Sequence, residues 1–237
     1  MSVVLAVSNL SVALGDGKKS RKILQNISFE MQTGEIVGLV GESGSGKTTL
    51  CKTILGFHKS GSGSVQIHTP YPQMIFQDSK SSLNPSKKIR WILKECQRTH
   101  PAMTPYQIEM KIADTLEKVH LTADVLERYP SELSGGQRQR ISIAIAVLQE
   151  SGLVLADEPV SSLDVTIQTQ ILELMKELRT SEGTAFLLIS HDLNVVAGIC
   201  DRLLVMHDGT IIEQGEVKEI MTNPKQEYTK ELLKNYL

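Results

Sequence analysis

Segment 41–48 constrains the fold most, because its residues match the pattern G-x-x-x-x-G-K-[ST]: Gly41-Glu42-Ser43-Gly44-Ser45-Gly46-Lys47-Thr48. It lies between an apolar run at 35–40, typical of a buried strand, and a helix-like segment that begins at Thr48 and Thr49. Glycines let backbone N–H groups turn inward and form a nest for phosphate oxygens at the positive end of a helix. We therefore expect residues 41–49 to bind a nucleoside triphosphate, with Lys47 at the β- and γ-phosphates and the Thr48 hydroxyl on Mg²⁺. The alternative is a glycine turn with a solvated lysine, and the strand–loop–helix context argues against it.

Two carboxylates end a second apolar run, at Asp157 and Glu158. At the end of a strand beside the phosphates, Asp157 could hold Mg²⁺ through a water and Glu158 could polarise the attacking water. His191 follows a third apolar run, at 186–189, and its imidazole could sense a γ-phosphate at neutral pH. Taken alone, a His-Asp pair after a strand is more often a surface turn.

The segment Leu133-Ser134-Gly135-Gly136-Gln137 opens a predicted helix that continues to about residue 146. A small hydroxyl residue at the N-cap, followed by glycines, leaves bare N–H groups that can bind an anion. An ordinary capped helix without a ligand is the alternative.

Together, these motifs resemble the ATP-binding subunits of ABC transporters, and the resemblance covers nearly the whole chain. Segment 41–48 is similar to the Walker A loop, 133–137 to the signature, 153–158 to Walker B and 161–164 to the D-loop. Gln77 follows the strand-like run 73–76 as the glutamine of the Q-loop does, and His191 matches the switch histidine.

The resemblance implies hydrolysis of ATP to ADP and phosphate, with ATP and Mg²⁺ as cofactors. It places Glu158, His191 and Gln77 at the reaction, and Thr48, Gln77 and Asp157 at Mg²⁺. The signature residues would contact the ATP held by the opposite subunit of a head-to-tail dimer, so one chain would hold half of each site. Asp164, of the D-loop, is expected among the nucleotide-binding residues.

The resemblance and the pattern of apolar runs predict an α/β fold with a P-loop NTPase (RecA-like) core and a mostly parallel sheet. An N-terminal antiparallel β-subdomain is expected from strands at 3–7 and 27–31, separated by a polar turn at 15–20. Helices at 89–96, 105–119 and the signature helix predict an α-helical subdomain inserted at 79–149. The chain would form one ABC ATPase domain over residues 1–237, with its core at 1–78 and 150–237.

Composition excludes several other classes of function. The net charge is −2 and the charges are dispersed, so no field for nucleic acid is expected. The cysteines, Cys51, Cys96 and Cys200, show no C-x-x-C spacing, which argues against a metal cluster or a disulfide scaffold and suits a reducing cytosol. No run approaches the roughly 18–20 apolar residues that span a bilayer, and the start predicts a strand instead of a signal peptide. We expect a peripheral protein at the cytoplasmic face of the cell membrane.

Two segments narrow the expected class to importers of oligopeptides, dipeptides and nickel. Residues 76–85 are similar to F-Q-D-x-x-x-S-L-N-P, and residues 224–233 resemble P-x-x-x-Y-T-x-x-L-L. Many peptide importers continue past the position of Leu237, so the length favours the nickel or metallophore branch. A Ser/Pro loop and an amphipathic terminal helix are the alternative interpretation.

The expected partners are a second ATPase subunit, identical or paralogous, two membrane-spanning permease subunits and, indirectly, an extracytoplasmic substrate-binding protein. The loop from Gln77 to Pro85 would contact the permease, with Asp78 and Leu83 as test positions. A soluble ABC ATPase of translation or DNA repair remains an alternative, although such proteins generally carry two cassettes. A non-hydrolysing regulatory cassette would be expected to lack Glu158 or the signature.

The sequence departs from the family pattern at two places, near residue 14 and after residue 63. The adenine is usually stacked on an aromatic residue at about the position of Leu14, so apolar contact with Leu14 is expected instead. The β-hairpin common after residue 63 is expected to be trimmed to one strand at 64–68.

Overall fold

The computed structural model describes residues 2–15, 21–59, 61–77, 82–97 and 103–234, and its strands form two sheets. A three-stranded sheet has the order β2-β1-β4, and a six-stranded sheet has the order β5-β6-β7-β3-β8-β9. The strands are β1 (Val3–Leu14), β2 (Arg21–Gln32), β3 (Ile36–Val40), β4 (Ser62–Ile67), β5 (Gln73–Ile75), β6 (Leu153–Asp157), β7 (Ala185–Ile189), β8 (Arg202–His207) and β9 (Thr210–Glu216).

The N-terminal sheet is antiparallel, as predicted, but β1 and β2 are longer than the expected strands. The pairing continues through register shifts near Asn9 and Asn26, which adopt left-handed φ values of 50° and 51°. Asparagine tolerates this conformation, and such irregularities let a strand keep its apolar side chains on the buried face. The predicted strand at 64–68 is confirmed as β4, whereas residues 16–20 of the expected polar turn lie outside the described residues.

The central sheet is parallel except for β9, which pairs antiparallel with β8. All residues of β3, β6 and β7 are buried, in agreement with the continuous apolar runs. Because parallel strands end at the same edge of a sheet, the segments that follow these three strands meet there. These segments carry the predicted phosphate loop, Glu158 and His191.

The helices are α1 (Lys47–Ile54), α2 (Ile89–Cys96), α3 (Pro105–Lys118), α4 (Gly135–Leu148), α5 (Val165–Glu182), α6 (Leu193–Ile199), α7 (Val217–Thr222) and α8 (Glu227–Lys234). Short 3₁₀ helices occupy Ala123–Glu127 and Pro130–Glu132. Helices α2 to α4 form the inserted helical subdomain, and its apolar side chains join one core with Ile75 and Phe186 of the central sheet. Within the described residues, no helix is both long and apolar enough to cross a membrane.

Candidate functional site

A cavity of about 500 Å³ lies at the edge where β3, β6 and β7 end. It is lined by Ile23, Gly41, Ser43, Gly44, Gly46, Lys47, Thr48, Thr49, Gln77, Asp157, Glu158, Ile189 and His191. The fold thus brings together predicted site residues from four separate segments of the chain.

The glycines of the phosphate loop occupy positions that other residues could not take without strain. Gly41 has a φ of 147°, and a Cβ there would lie 2.0 Å from the carbonyl oxygen of Met206. Gly46 has a φ of 108° and stands at the N-cap of α1 without a side chain to bond the first turn. The first N–H groups of α1 therefore remain available at the cavity.

Lys47 is partly buried beside this loop. Its Nζ donates hydrogen bonds to the carbonyl oxygens of Gly41 at 2.7 Å and of Glu42 at 2.8 Å. Burial lowers the pKa of Lys47, while the nearby carboxylates of Glu158 and Asp157 oppose that shift. The ammonium is thus held at the cavity by neutral carbonyl groups.

Thr48 and Asp157 line the cavity and provide two neighbouring oxygen atoms that could bind a metal ion. The Thr48 hydroxyl donates to Oδ2 of Asp157 at 2.8 Å. Burial raises the pKa of Asp157, and the hydrogen bond from Thr48 opposes this shift. A hydroxyl beside a carboxylate suits Mg²⁺, which favours oxygen ligands and completes its shell with waters and phosphates.

Glu158 and His191 are in direct contact. Nδ1 of His191 lies 2.9 Å from Oε2 of Glu158, and the amide of Gln77 lies 3.5 Å from the same oxygen. The Glu158 side chain is 18% exposed, and its backbone has a left-handed φ of 48°, with its N–H bonded to the carbonyl of Ile189. A glutamate in this conformation is unusual, and such strain is often found at functional sites.

The signature residues do not line this cavity. The Ser134 hydroxyl accepts a hydrogen bond from the N–H of Gln137 at 3.2 Å, and Oε1 of Gln137 accepts one from the N–H of Ser134 at 3.0 Å. The predicted N-cap is therefore present. A Cβ on Gly136 would lie 2.6 Å from Cγ2 of Ile167, and one on Gly135 would lie 3.0 Å from Leu163. The glycines therefore also permit close packing of α4 on α5.

Two further predicted contacts have structural roles within the chain. Leu133 is 4% exposed and its side chain belongs to the core. Asp164 caps α5 by accepting the N–H of Ile167 at 3.0 Å. The contacts of the signature residues and Asp164 with a nucleotide stay a prediction.

Comparison with known proteins decides the family. Residues 24–161 match the family model described as ABC transporter. The chain belongs to the ABC transporter family. It is an ATP-binding subunit of that family and an ATPase.

Several ABC relatives match almost the entire chain. It is 40% identical to the oligopeptide transport ATP-binding protein OppF of Streptococcus mutans, over 97% of this chain and 80% of that protein. It is 37% identical to OppD of Lactococcus lactis subsp. cremoris, over 98% of this chain and 75% of the relative. It is 39% identical to the uncharacterized ABC transporter ATP-binding protein YejF of Escherichia coli, over 98% of this chain but 48% of the relative.

Solved structures agree with the ABC fold. A putative metal-chelate type ABC transporter in an inward-facing conformation is 27% identical with a TM-score of 0.81, covering 93% of this chain and 86% of the other. A dimeric ATP-binding cassette bound to ADP and Pi is 24% identical with a TM-score of 0.78, over 90% of this chain and 98% of the other, and shows the likeness of fold.

Near the N-terminus, the apolar residue that lines this cavity is not the one that the sequence predicted. Ile23 lines the cavity, whereas Leu14 does not; Leu14 pairs with Arg21 and packs against the core. Sequence reasoning missed Ile23, although its place near the start of β2, opposite the end of β1, was the available signal. Adenine contact by Leu14 stays a prediction.

Leu83, one of the two positions expected to contact the permease, is 2% exposed and belongs to the core of this chain, and its contact with a permease stays a prediction. Asp78, the other proposed position, lies outside the described residues. Further along the chain, Trp91 is 41% exposed, with Nζ of Lys87 4.9 Å from its ring centroid.

Proposed function

We propose that this chain drives an importer of oligopeptides across the cytoplasmic membrane, as a peripheral subunit on the cytoplasmic face. Oligopeptides are proposed as the cargo because the chain is 40% identical to OppF over 97% of its length. The OppF and OppD relatives are transport proteins, which favours an importer over the alternative of a soluble ABC ATPase in translation or DNA repair.

We infer that Glu158 is the general base and His191 its partner. His191 contacts the carboxylate at 2.9 Å in the cavity that the phosphate loop also lines, where the carboxylate would accept a proton from water. Phosphoryl transfer needs little covalent help, so positioning and charge provide most of the rate. Thr48, Asp157 and Gln77 would hold Mg²⁺, which when bound would neutralise charge on the phosphates.

We propose a head-to-tail dimer in which the signature of one chain completes the site of the other. Ser134 and the glycines after it, at the N-terminus of α4, do not line the chain's own cavity. At the start of α5, next to Asp164, Val165 is 76% exposed, so an apolar side chain is available for contact near the D-loop. The second chain could be identical or paralogous.

The proposed partners in the membrane are two permease subunits, which in turn would receive cargo from an extracytoplasmic binding protein. Trp91 and Lys87, which follow the Q-loop segment in the sequence, form an exposed aromatic and cationic pair. An exposed tryptophan is typical of an interface anchor.

Replacing Trp91 by Ala is expected to reduce transport at least about fivefold, because interface anchors commonly contribute over 1 kcal/mol. The ATPase rate of the isolated subunit should stay near that of the wild type. The matched control is Tyr106→Ala, which removes a more exposed aromatic ring, 74% exposed, from α3 of the same subdomain. Equal transport by both variants in reconstituted vesicles would contradict this assignment.

Lys47→Ala is expected to weaken ATP binding by more than about tenfold, because it removes a charge-assisted contact to the phosphates. Calorimetric titration of the purified subunit measures this change. Lys59→Ala, at an exposed position beyond α1, is the control for loss of one positive charge. An affinity within tenfold of the wild type would count against the role of Lys47.

Nickel or a metal chelate is the second candidate cargo, favoured by the 27% identical metal-chelate type relative. To separate the two, cells lacking the chain are complemented with wild type or with Glu158→Gln. Uptake of a labelled oligopeptide and of radioactive Ni²⁺ is then measured in parallel. Restoration of peptide uptake by wild type alone supports the proposal, and restoration of Ni²⁺ uptake without peptide uptake overturns it.

A further inference from the structure

The outer side of the phosphate loop is held by two segments that are distant in sequence. The N–H of Gly209, in the turn between β8 and β9, donates to the carbonyl of Ser45 at 3.0 Å. The hydroxyl of Tyr228, on the C-terminal helix α8, accepts the N–H of Glu42 at 3.0 Å. Neither Gly209 nor Tyr228 lines the cavity.

Both backbone groups of Glu42, its N–H and its carbonyl, are therefore hydrogen-bonded. Its N–H is held by Tyr228, and its carbonyl oxygen accepts from Nζ of Lys47 at 2.8 Å. Glu42 also follows Gly41, whose unusual φ of 147° sets the entry into the loop. Tyr228 thus bonds the same residue whose carbonyl oxygen contacts the ammonium that is expected to meet the phosphates.

Tyr228 is itself firmly placed. Its ring lies 4.0 Å from the ring of His207, measured between centroids, at an interplanar angle of 37°. The segment that leads into α8 is bonded to β9, because the Glu213 carboxylate accepts the N–H groups of Lys225 at 2.8 Å and Gln226 at 3.1 Å. Leu233, 5% exposed, anchors the other end of the helix in an apolar cluster with Val40 and Val205. A hydroxyl on such a support can define the position of a loop.

We propose that Tyr228 is a positioning residue for the phosphate loop, so that helix α8 sets the affinity of the loop for its nucleotide. This inference rests on the assignment of residues 41–49 as the ATP site. Without the hydroxyl, the Glu42 peptide gains other orientations and its N–H must bond to water. ATP binding then has to order the loop, and the free energy of ordering is subtracted from the free energy of binding. Once ATP is bound, its phosphates fix the loop, so the hydrolysis step is little changed.

The test is Tyr228→Phe, which removes one oxygen and keeps the ring against His207. Loss of one hydrogen bond predicts a dissociation constant and a KM for ATP about threefold to tenfold higher, with kcat within about twofold of the wild type. The amide proton of Glu42 should also exchange faster with solvent by about the same factor or more, measured by NMR of the nucleotide-free protein. Tyr106→Phe is the matched control and should change none of these quantities.

Three results separate the possible failures. If wild-type protein binds no ATP, or if Lys47→Ala binds as wild type does, the assignment of the site is wrong. If the wild type binds ATP while Tyr228→Phe has the same KM and the same Glu42 exchange, the positioning role is wrong. A fall in kcat at unchanged KM would also overturn it. Thermal unfolding of each variant identifies a general loss of stability, and the midpoint is expected to stay within a few degrees of the wild type. If a variant is less stable, exchange of the Glu42 amide is measured well below the unfolding transition. The positioning role is rejected unless that amide still exchanges faster than the other amides of the loop.

Discussion

Glu158→Gln is expected to bind ATP as the wild type does and to hydrolyse it at least about 10²-fold more slowly, as expected for loss of a general base. The amide is nearly the same size as the carboxylate, so it can occupy the same place beside His191, but it cannot accept a proton from water. Because binding persists while the reaction does not, ATP should trap the variant as a dimer.

Steady-state phosphate release measures the rate of hydrolysis, and gel filtration with ATP detects the trapped dimer. Glu117→Gln, on the exposed face of α3, controls for the loss of one carboxylate and should leave both unchanged. Turnover near the wild-type rate at normal ATP affinity would assign the base to another group.

Ser134→Arg is expected to abolish hydrolysis by the dimer while the chain's own phosphate loop still binds ATP. Ser134 is at the start of α4, outside its own cavity, so a long cationic side chain there blocks only the surface that would meet the opposite subunit. The substitution also removes the hydroxyl that bonds the N–H of Gln137, which costs about 1 kcal/mol of stability.

The control for the lost cap is Ser134→Ala, which removes the same hydroxyl without adding bulk and should retain more of the activity than Ser134→Arg. Mixing Ser134→Arg with Lys47→Ala protein should restore part of the hydrolysis, because one site of the mixed dimer then has an intact phosphate loop and an intact signature. Hydrolysis at the full rate by a strictly monomeric form, checked by sedimentation, would refute a site shared between chains.

The groups that meet in the cavity were predictable because each follows a strand. Apolar runs buried on both faces predict parallel strands, and parallel strands deliver Lys47, Glu158 and His191 to one edge of the sheet. The N-cap at Ser134 was predictable for a similar reason, since its hydrogen bonds involve residues three positions apart.

The rest depends on packing between segments that are distant in sequence. The pattern around residue 83 suggested an exposed loop, yet Leu83 is buried in the apolar core that also contains side chains of the inserted subdomain. The choice of Ile23 over Leu14 as cavity wall depends on the twist and register of β1 and β2, to which asparagines in the left-handed region contribute. Nothing local to Tyr228 indicates that its hydroxyl reaches Glu42, because the contact requires β8, β9 and α8 to be assembled first.

The contact between Gly136 and Ile167 has a consequence for the timing of the two ATP sites in the proposed dimer. With only a hydrogen at Gly136, α4 touches α5 so closely that neither helix start can shift without the other. The start of α4 would serve the nucleotide of the neighbouring subunit, while α5 begins shortly after Glu158, which belongs to the chain's own site. Capture of one nucleotide would therefore be transmitted to the carboxylate that serves as general base in hydrolysis of the other, and the two hydrolysis events would not be independent.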